Sequence, residues 1–157
     1  MIIIKEVNPN HPDAIYLMDK LSQSLKAITG NSGRGSFDVN DVCLPRSLFV
    51  IAYNEIGDAI GCGAIRPLNE NIAEVKRMYA NIKGVGVGTE ILDYLESHAE
   101  ELGYSAIRLE TRLVNLQAVA FYGNRGYHRI PNYGKYDGNP EAVCFEKQII
   151  SVNDKLI

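Results

Sequence analysis

The chain is poor in cysteine, and the three it has, Cys43, Cys62 and Cys144, stand far apart. No two of them form a C-x-x-C, no histidine stands at zinc-ligand spacing from them, and an odd number cannot all pair within one chain. A disulfide-stapled framework and a structural zinc site are thereby excluded as organising features, and the thiols read as free, as in a reducing compartment. The three histidines, His11, His98 and His128, are equally scattered. They have neither metal spacing nor a nucleophile pattern beside them, so solvated or capping roles suit them and no metal is expected. A basic stripe is missing too, since 16 Lys and Arg stand against 19 Asp and Glu, for a net charge of -3 and a pI near 5.6. Nothing here neutralises a phosphate backbone, and nucleic acid is not an expected partner. No run approaches eighteen apolar residues, and the opening "MIIIKEV" lacks a cleavable-signal pattern. No membrane partner is expected, and the location implied is cytoplasmic.

What is present is a globular composition, 46% hydrophobic and 22% charged over 157 residues, enough for one domain spanning the whole chain. Ile2 to Val7 is short and β-branched, a strand. His11 to Ala27 carries Ile15, Met18, Leu21, Leu25 and Ile28 at helical spacing, with Pro12 in its first turn and Gly30 at its end. Thr29 to Ser47 reads as a loop with room for one helical turn. Leu48–Tyr53 and Ile60–Arg66 form a hairpin through "NEIGDA", and Ile72–Ala80 extends the meander. Val87 to Leu102 is a second helix, followed by the strand "SAIRLE", so the strands on either side of it should be parallel. A third helix over Asn115–Asn124 and strands at Tyr127–Ile130 and Val143–Ile149 complete a mixed sheet with helices on both faces.

The densest signal is "KGVGVGTEIL", with Gly84, Gly86 and Gly88 at alternate positions just where a helix begins. The first amides of a helix have no intrahelical partner and the helix dipole favours an anion there, so a phosphate is the natural guest. A Walker A loop is ruled out, because Lys83 precedes the glycines instead of following them. A dinucleotide fingerprint fits in part. Gly84 and Gly86 open G-x-G-x-x-G and Glu110 ends the next strand, but the third glycine position is Thr89 and an antiparallel meander precedes the loop.

The segment also resembles the pyrophosphate loop of the GNAT superfamily of acyl-CoA-dependent N-acyltransferases, [RQ]-x-x-G-x-[GA]. About 27 residues on, "NLQAVAFYGNRGY" is similar to that family's N-x-x-A-x-x-F-Y-x-x-x-G-[FY]. With "GCGAIRP", "AEVKRMY", "RLET" and "VCFEK", the likeness extends over roughly Leu48 to Lys147. Two departures stand out: the first loop position is Lys83, a point donor without arginine's planar fork, and "ANIK" is about two residues shorter than the usual connection. The resemblance implies an α/β (α+β) fold with a central sheet of six or seven strands, its fourth and fifth strands parallel and splayed.

It further implies acetyl-CoA as cosubstrate and a small-molecule or peptide amine as acceptor, with a homodimer left open. The backbone from Lys83 through Gly84, Val85, Gly86, Val87 and Gly88 to Thr89 would hold the pyrophosphate. Met78, Tyr79 and Ala80 would pair with the pantetheine amides. Asn115 would contact pantetheine, cap its helix, or do both. Glu74 matches the family's carboxylate base on the fourth strand, or is a strand residue salt-bridged beside Lys76 and Arg77. Tyr122 matches the tyrosine that protonates the departing sulfur, or is a packed aromatic. Arg34, Arg46 and Arg66 are solvated or recognise an acidic acceptor. The expected activity is N-acetyl transfer to a primary amine in a ternary complex, with no cysteine nucleophile. The alternatives are an acyl-CoA sensor that does no chemistry and a dinucleotide-binding protein.

Overall fold

The computed structural model describes residues 1–33, 39–82 and 84–149. Seven strands, β1 (Ile3–Glu6), β2 (Leu48–Tyr53), β3 (Ala59–Pro67), β4 (Ile72–Ala80), β5 (Ala106–Arg112), β6 (His128–Ile130) and β7 (Ala142–Gln148), form one sheet in the order β1-β2-β3-β4-β5-β7-β6. Every neighbouring pair is antiparallel except β4 and β5, which are joined by the crossover helix α2 (Val87–Glu101) and run parallel. The dinucleotide alternative needs a doubly wound parallel sheet, and here the strand leading into the glycine loop is antiparallel to β3.

Strand alternation sends one side chain of each pair to each face of the sheet. Val50, Ile65, Val75, Ile107 and Leu109 pack with Ile91, Leu92 and Leu95 of α2 on one side. Phe49, Ile51, Cys62 and Ala64 meet α1 (Pro12–Thr29) on the other. The expected stripe of α1 is rotated. The helix buries Ala14, Leu17, Met18, Leu21 and Ser22, while Ile15 is 48% and Ile28 45% exposed. Two overlapping stripes at three-and-four spacing exist in this sequence, and the sheet face selects the one carrying Ala14 and Leu17, which pack with Cys62 and Ala64. His11 caps α1, its Nδ1 accepting from the Asp13 amide at 3.0 Å. Asn115 caps α3 (Leu116–Asn124) by accepting from the Ala118 amide at 3.3 Å. A short 3₁₀ turn at Val39–Val42 is the helical turn expected inside the long loop.

Candidate active site

The parallel contact between β4 and β5 is short. Ile72, Ala73 and Glu74 pair with Ala106, Ile107 and Arg108, and then the strands separate. On the β5 side the ladder with β7 continues through Arg112, so β5 is held away from β4. On the β4 side the register with β3 slips between Cys62 and Ala64, and Arg77, opposite the slip, has φ 55°. A bulge of this kind bends its strand, and a left-handed non-glycine residue persists only when its surroundings fix it. Here they do: the Arg77 Nη2 donates to the Met18 carbonyl at 2.9 Å and to Ser22 Oγ at 2.6 Å, pinning the bulge to α1. The result is a wedge between β4 and β5, floored by the sheet and walled by α1 and α3.

The larger of two cavities there, about 550 Å³, runs from the wedge to the glycine loop and is lined by Met78, Tyr79 and Ala80 of β4 and by Gly84, Gly86, Val87, Gly88 and Thr89. Gly84 and Gly86 both adopt φ 81°, and Gly86 is the N-cap of α2 with no side chain capping it. The first-turn amides of α2 are therefore left to whatever fills the cleft. A Cβ built at Gly84 or Gly86 meets no protein atom within 4 Å. What the protein itself requires at both positions is the left-handed backbone. At Gly88 the space is restricted, since a Cβ would lie 3.3 Å from Phe121 Cζ. Val85 is 57% exposed, and its side chain is not part of the wall. Lys83 and Arg34 lie outside the described residues.

Among the described residues lining this cavity, Arg125 is the one charged side chain. It follows α3, and its Nε and Nη2 donate to Thr89 Oγ1 at 3.0 and 2.6 Å, which holds the guanidinium beside the first turn of α2. A faint signal for it was present in "FYGNRGY", as a cation just after the second motif.

A smaller cavity of about 160 Å³ opens on the other side of the wedge, between α1, β4 and β5. Leu21, Leu25, Met78, Asn115, Ala118 and Tyr122 line both cavities and form the partition between them. Tyr122 is 7% exposed and set edge-on against Phe121 and Tyr127. Burial pushes its pKa up, so the hydroxyl stays protonated and able to donate throughout the physiological range.

Glu74 is 1% exposed and fully engaged. Its Oε1 accepts from Arg66 Nε at 2.9 Å and its Oε2 from the Tyr133 hydroxyl at 2.6 Å, with Lys76 Nζ 3.7 Å away. Arg66 also reaches Asp41 of the 3₁₀ turn at 2.8 Å, and Lys76 donates to the Tyr136 hydroxyl at 2.8 Å. Desolvation lowers the Lys76 pKa, against the pull of Glu74. Arg66 is thus occupied by carboxylates. Arg46 lies over the Tyr104 ring at 4.0 Å and donates to the Leu102 carbonyl, so neither arginine is a loose surface cation. Tyr133 and Tyr136, which complete this network, come from "PNYGKYDGNPEA", a segment without a motif to mark it. Among the described residues no cluster of His, Cys, Asp and Glu could hold a metal, and no helix is long and apolar enough to cross a membrane.

The chain shares this architecture with known proteins. The model of the Acetyltransferase (GNAT) family matches residues 18–127. A protein named IAA acetyltransferase from Azospirillum brasilense is 26% identical over 94% of this chain and 98% of its own length. A solved structure of the acyl-CoA N-acyltransferase class from Klebsiella pneumoniae superposes with a TM-score of 0.81 at 25% identity, covering 96% of this chain and 99% of that one. A GNAT family acetyltransferase from Elizabethkingia anophelis, solved with acetyl-CoA bound, shares the fold with a TM-score of 0.69 at 14% identity, over 94% of this chain and 97% of that one. The family match, the seven-stranded sheet with its one parallel pair and the splayed β4–β5 wedge agree, and the chain belongs to the GNAT acetyltransferase family as an acyltransferase.

Proposed function

We propose that the protein transfers an acetyl group from acetyl-CoA to a primary amine by direct attack within a ternary complex. The observation that carries this reading is the uncapped start of α2 opening into the same cleft as the unpaired edge of β4. Backbone donors from Gly84 to Thr89, with Lys83 and the cation of Arg125, suit a pyrophosphate in a chain of net negative charge. The edge at Met78–Ala80 offers amide partners to pantetheine, as a missing strand would, and Asn115 adds a side-chain amide. That arrangement brings the thioester to the partition, beside the Tyr122 hydroxyl.

If Arg125 holds a phosphate, Arg125→Gln should weaken CoA binding about tenfold, because hydrogen bonds to charged groups contribute roughly 1.5–3 kcal/mol. Calorimetry with CoA and with dephospho-CoA reads this. A loss for both assigns the pyrophosphate, a loss for CoA alone assigns the 3′-phosphate, and unchanged affinity for both removes Arg125 from the site.

Tyr122 separates transfer from mere binding. A hydroxyl that protonates the departing thiolate acts only as the C–S bond breaks, so Tyr122→Phe should lower the single-turnover rate by about 10²-fold with CoA affinity unaltered. Equal rates would assign Tyr122 to packing against Phe121 and Tyr127. Glu74 holds the position of the family's base. With both oxygens bonded to protein groups, its geometry favours fixing Arg66 and Tyr133 over taking a proton itself.

A further inference from the structure

The smaller cavity contains a carboxylate with one oxygen that no protein group hydrogen-bonds. Glu110 stands on β5 opposite Cys144 of β7, on the face shared with Arg112, and lines the cavity across from Lys76 of β4. Its side chain is 11% exposed, and its Oε2 is buried without a hydrogen bond. Arg112 Nε lies 3.2 Å from that oxygen but off the N–H direction, a charge contact only. A buried carboxylate oxygen with a counter-charge but no hydrogen bond is costly, and such a group in a cavity wall calls for a donor that arrives from outside.

The rest of the wall states what else that partner must carry. Among the described lining residues Glu110 is the one carboxylate, against the cations Lys76, Arg77 and Arg112. A diamine or polyamine would bring further positive charge into this surrounding. An amine that bears its own acid group would not. The 3.2 Å spacing of Arg112 and Glu110 also matches the short separation of ammonium and carboxylate on one carbon, so the two ion pairs can exchange partners head to tail.

We infer that the smaller cavity is the acceptor site for a free α-amino acid, its ammonium set on Glu110 and its carboxylate on Arg112 and Lys76. This rests on the acetyl-transfer reading and deepens it. Glu110 takes one proton from the ammonium, and the neutral amine crosses the partition at Tyr122 and attacks the thioester carbonyl. The C–N bond forms, the C–S bond breaks, the thiolate leaves with a proton from Tyr122, and the second proton of the nitrogen restores the Tyr122 hydroxyl as the amide forms, while Glu110 releases the first to solvent. The products are the N-acetyl amino acid, CoA thiol and one proton returned to solvent. Desolvation raises the Glu110 pKa, with Glu74 acting in the same direction and Arg112, Lys76 and Lys135 opposing, which suits a carboxylate that must accept a proton and give it up again.

The test is an acceptor panel with the full-length chain and acetyl-CoA, following thiol release and product mass: free L-amino acids, the same amino acids as C-terminal amides, dipeptides and diamines. Free amino acids should exceed their amides at least about tenfold in kcat/KM, since the amide leaves a cation unanswered. Glu110→Gln, close to isosteric, should lower kcat/KM for the amino acid by about 100-fold with CoA affinity intact. It should also remove the fall in rate that wild type shows as pH drops and Glu110 takes up a proton. Arg112→Gln should erase the preference for acids over amides. Transfer to amides or diamines as efficient as to free amino acids, no transfer to any free amino acid, or an unchanged rate and pH profile in Glu110→Gln overturns the inference. Failure of wild type to bind CoA in calorimetry overturns the acetyl-transfer reading itself, a separate result.

Discussion

Gly86→Val is expected to weaken CoA binding by about 100-fold while costing only a few degrees of melting temperature. Gly86 sits at φ 81°, where an L side chain is strained by about 1–2 kcal/mol, and a β-branched one is least tolerated. The space around it is open, so the variant has no clash to relieve by repacking. It relaxes by rotating the backbone instead, which turns the amides at the head of α2 away from the cleft. Losing two charge-assisted hydrogen bonds to a phosphate corresponds to about 3 kcal/mol, hence the factor of about 100. Because the cause is conformational, affinity should fall in the order Gly86, then Gly86→Asn, then Gly86→Ala, then Gly86→Val, following tolerance of the left-handed region. Calorimetry on the four proteins checks this. Equal losses for Asn and Val would mean that side-chain bulk, not backbone conformation, matters at this position.

Glu74→Ala is expected to lose about 3 kcal/mol of stability, a fall of about 10 °C in melting temperature, since removing one partner of a buried ion pair leaves its cation uncompensated. Arg66, Lys76 and Tyr133 all lose an acceptor or a counter-charge. The pH dependence has a definite sign. Lys76 already titrates below its ordinary value in the folded state, so at alkaline pH the unfolded chain holds more protons and stability linked to Lys76 rises with pH. Removing Glu74 lowers that pKa further, and the deficit of the variant should therefore shrink as pH rises toward the ordinary lysine range and Lys76 discharges. Arg66 does not discharge, so recovery is partial. The milder Glu74→Gln keeps the shape of the network and serves for kinetics. A loss of turnover that fades as rising pH supplies neutral amine marks a base, whereas a loss independent of pH marks positioning.

Element order and sheet type were readable because their causes are local. The short, nearly continuous apolar runs of Leu48–Tyr53 and Ile60–Arg66, the turn between them, and the glycine-headed helix at Val87 each lie within a few residues of their signal. The splay of β4 from β5 came from the resemblance, and its cause, a bulge at Arg77 pinned to Met18 and Ser22, involves groups more than fifty residues apart. The buried face of α1 lies one step from the expected stripe, because two stripes satisfy the same period and only the sheet opposite chooses between them. Glu74 and Tyr122 could be singled out by motif, but the partners that determine what each can do could not. Tyr133 and Asp41 reach Glu74 and Arg66 from segments without a pattern, and the sequence marks Glu110 only as the acid ending the strand of a partial dinucleotide fingerprint, which the antiparallel meander does not suit. Arg125 depended on Thr89, a contact no spacing announces.

The six residues that form the partition between the cavities have a thermodynamic consequence. A wall with two sides cannot be ordered for one occupant without being ordered for the other. Whatever settles Leu25, Met78 and Tyr122 on the donor side lowers the entropy still to be lost on the acceptor side, so the two ligands should help each other bind, each by the same factor. Only three residue pairs join β4 to β5, so little else fixes the distance across that wall when both cavities are empty. Coupling of this kind is symmetric, so it should favour the ternary complex whichever ligand binds first, through a shared boundary and with no moving lid.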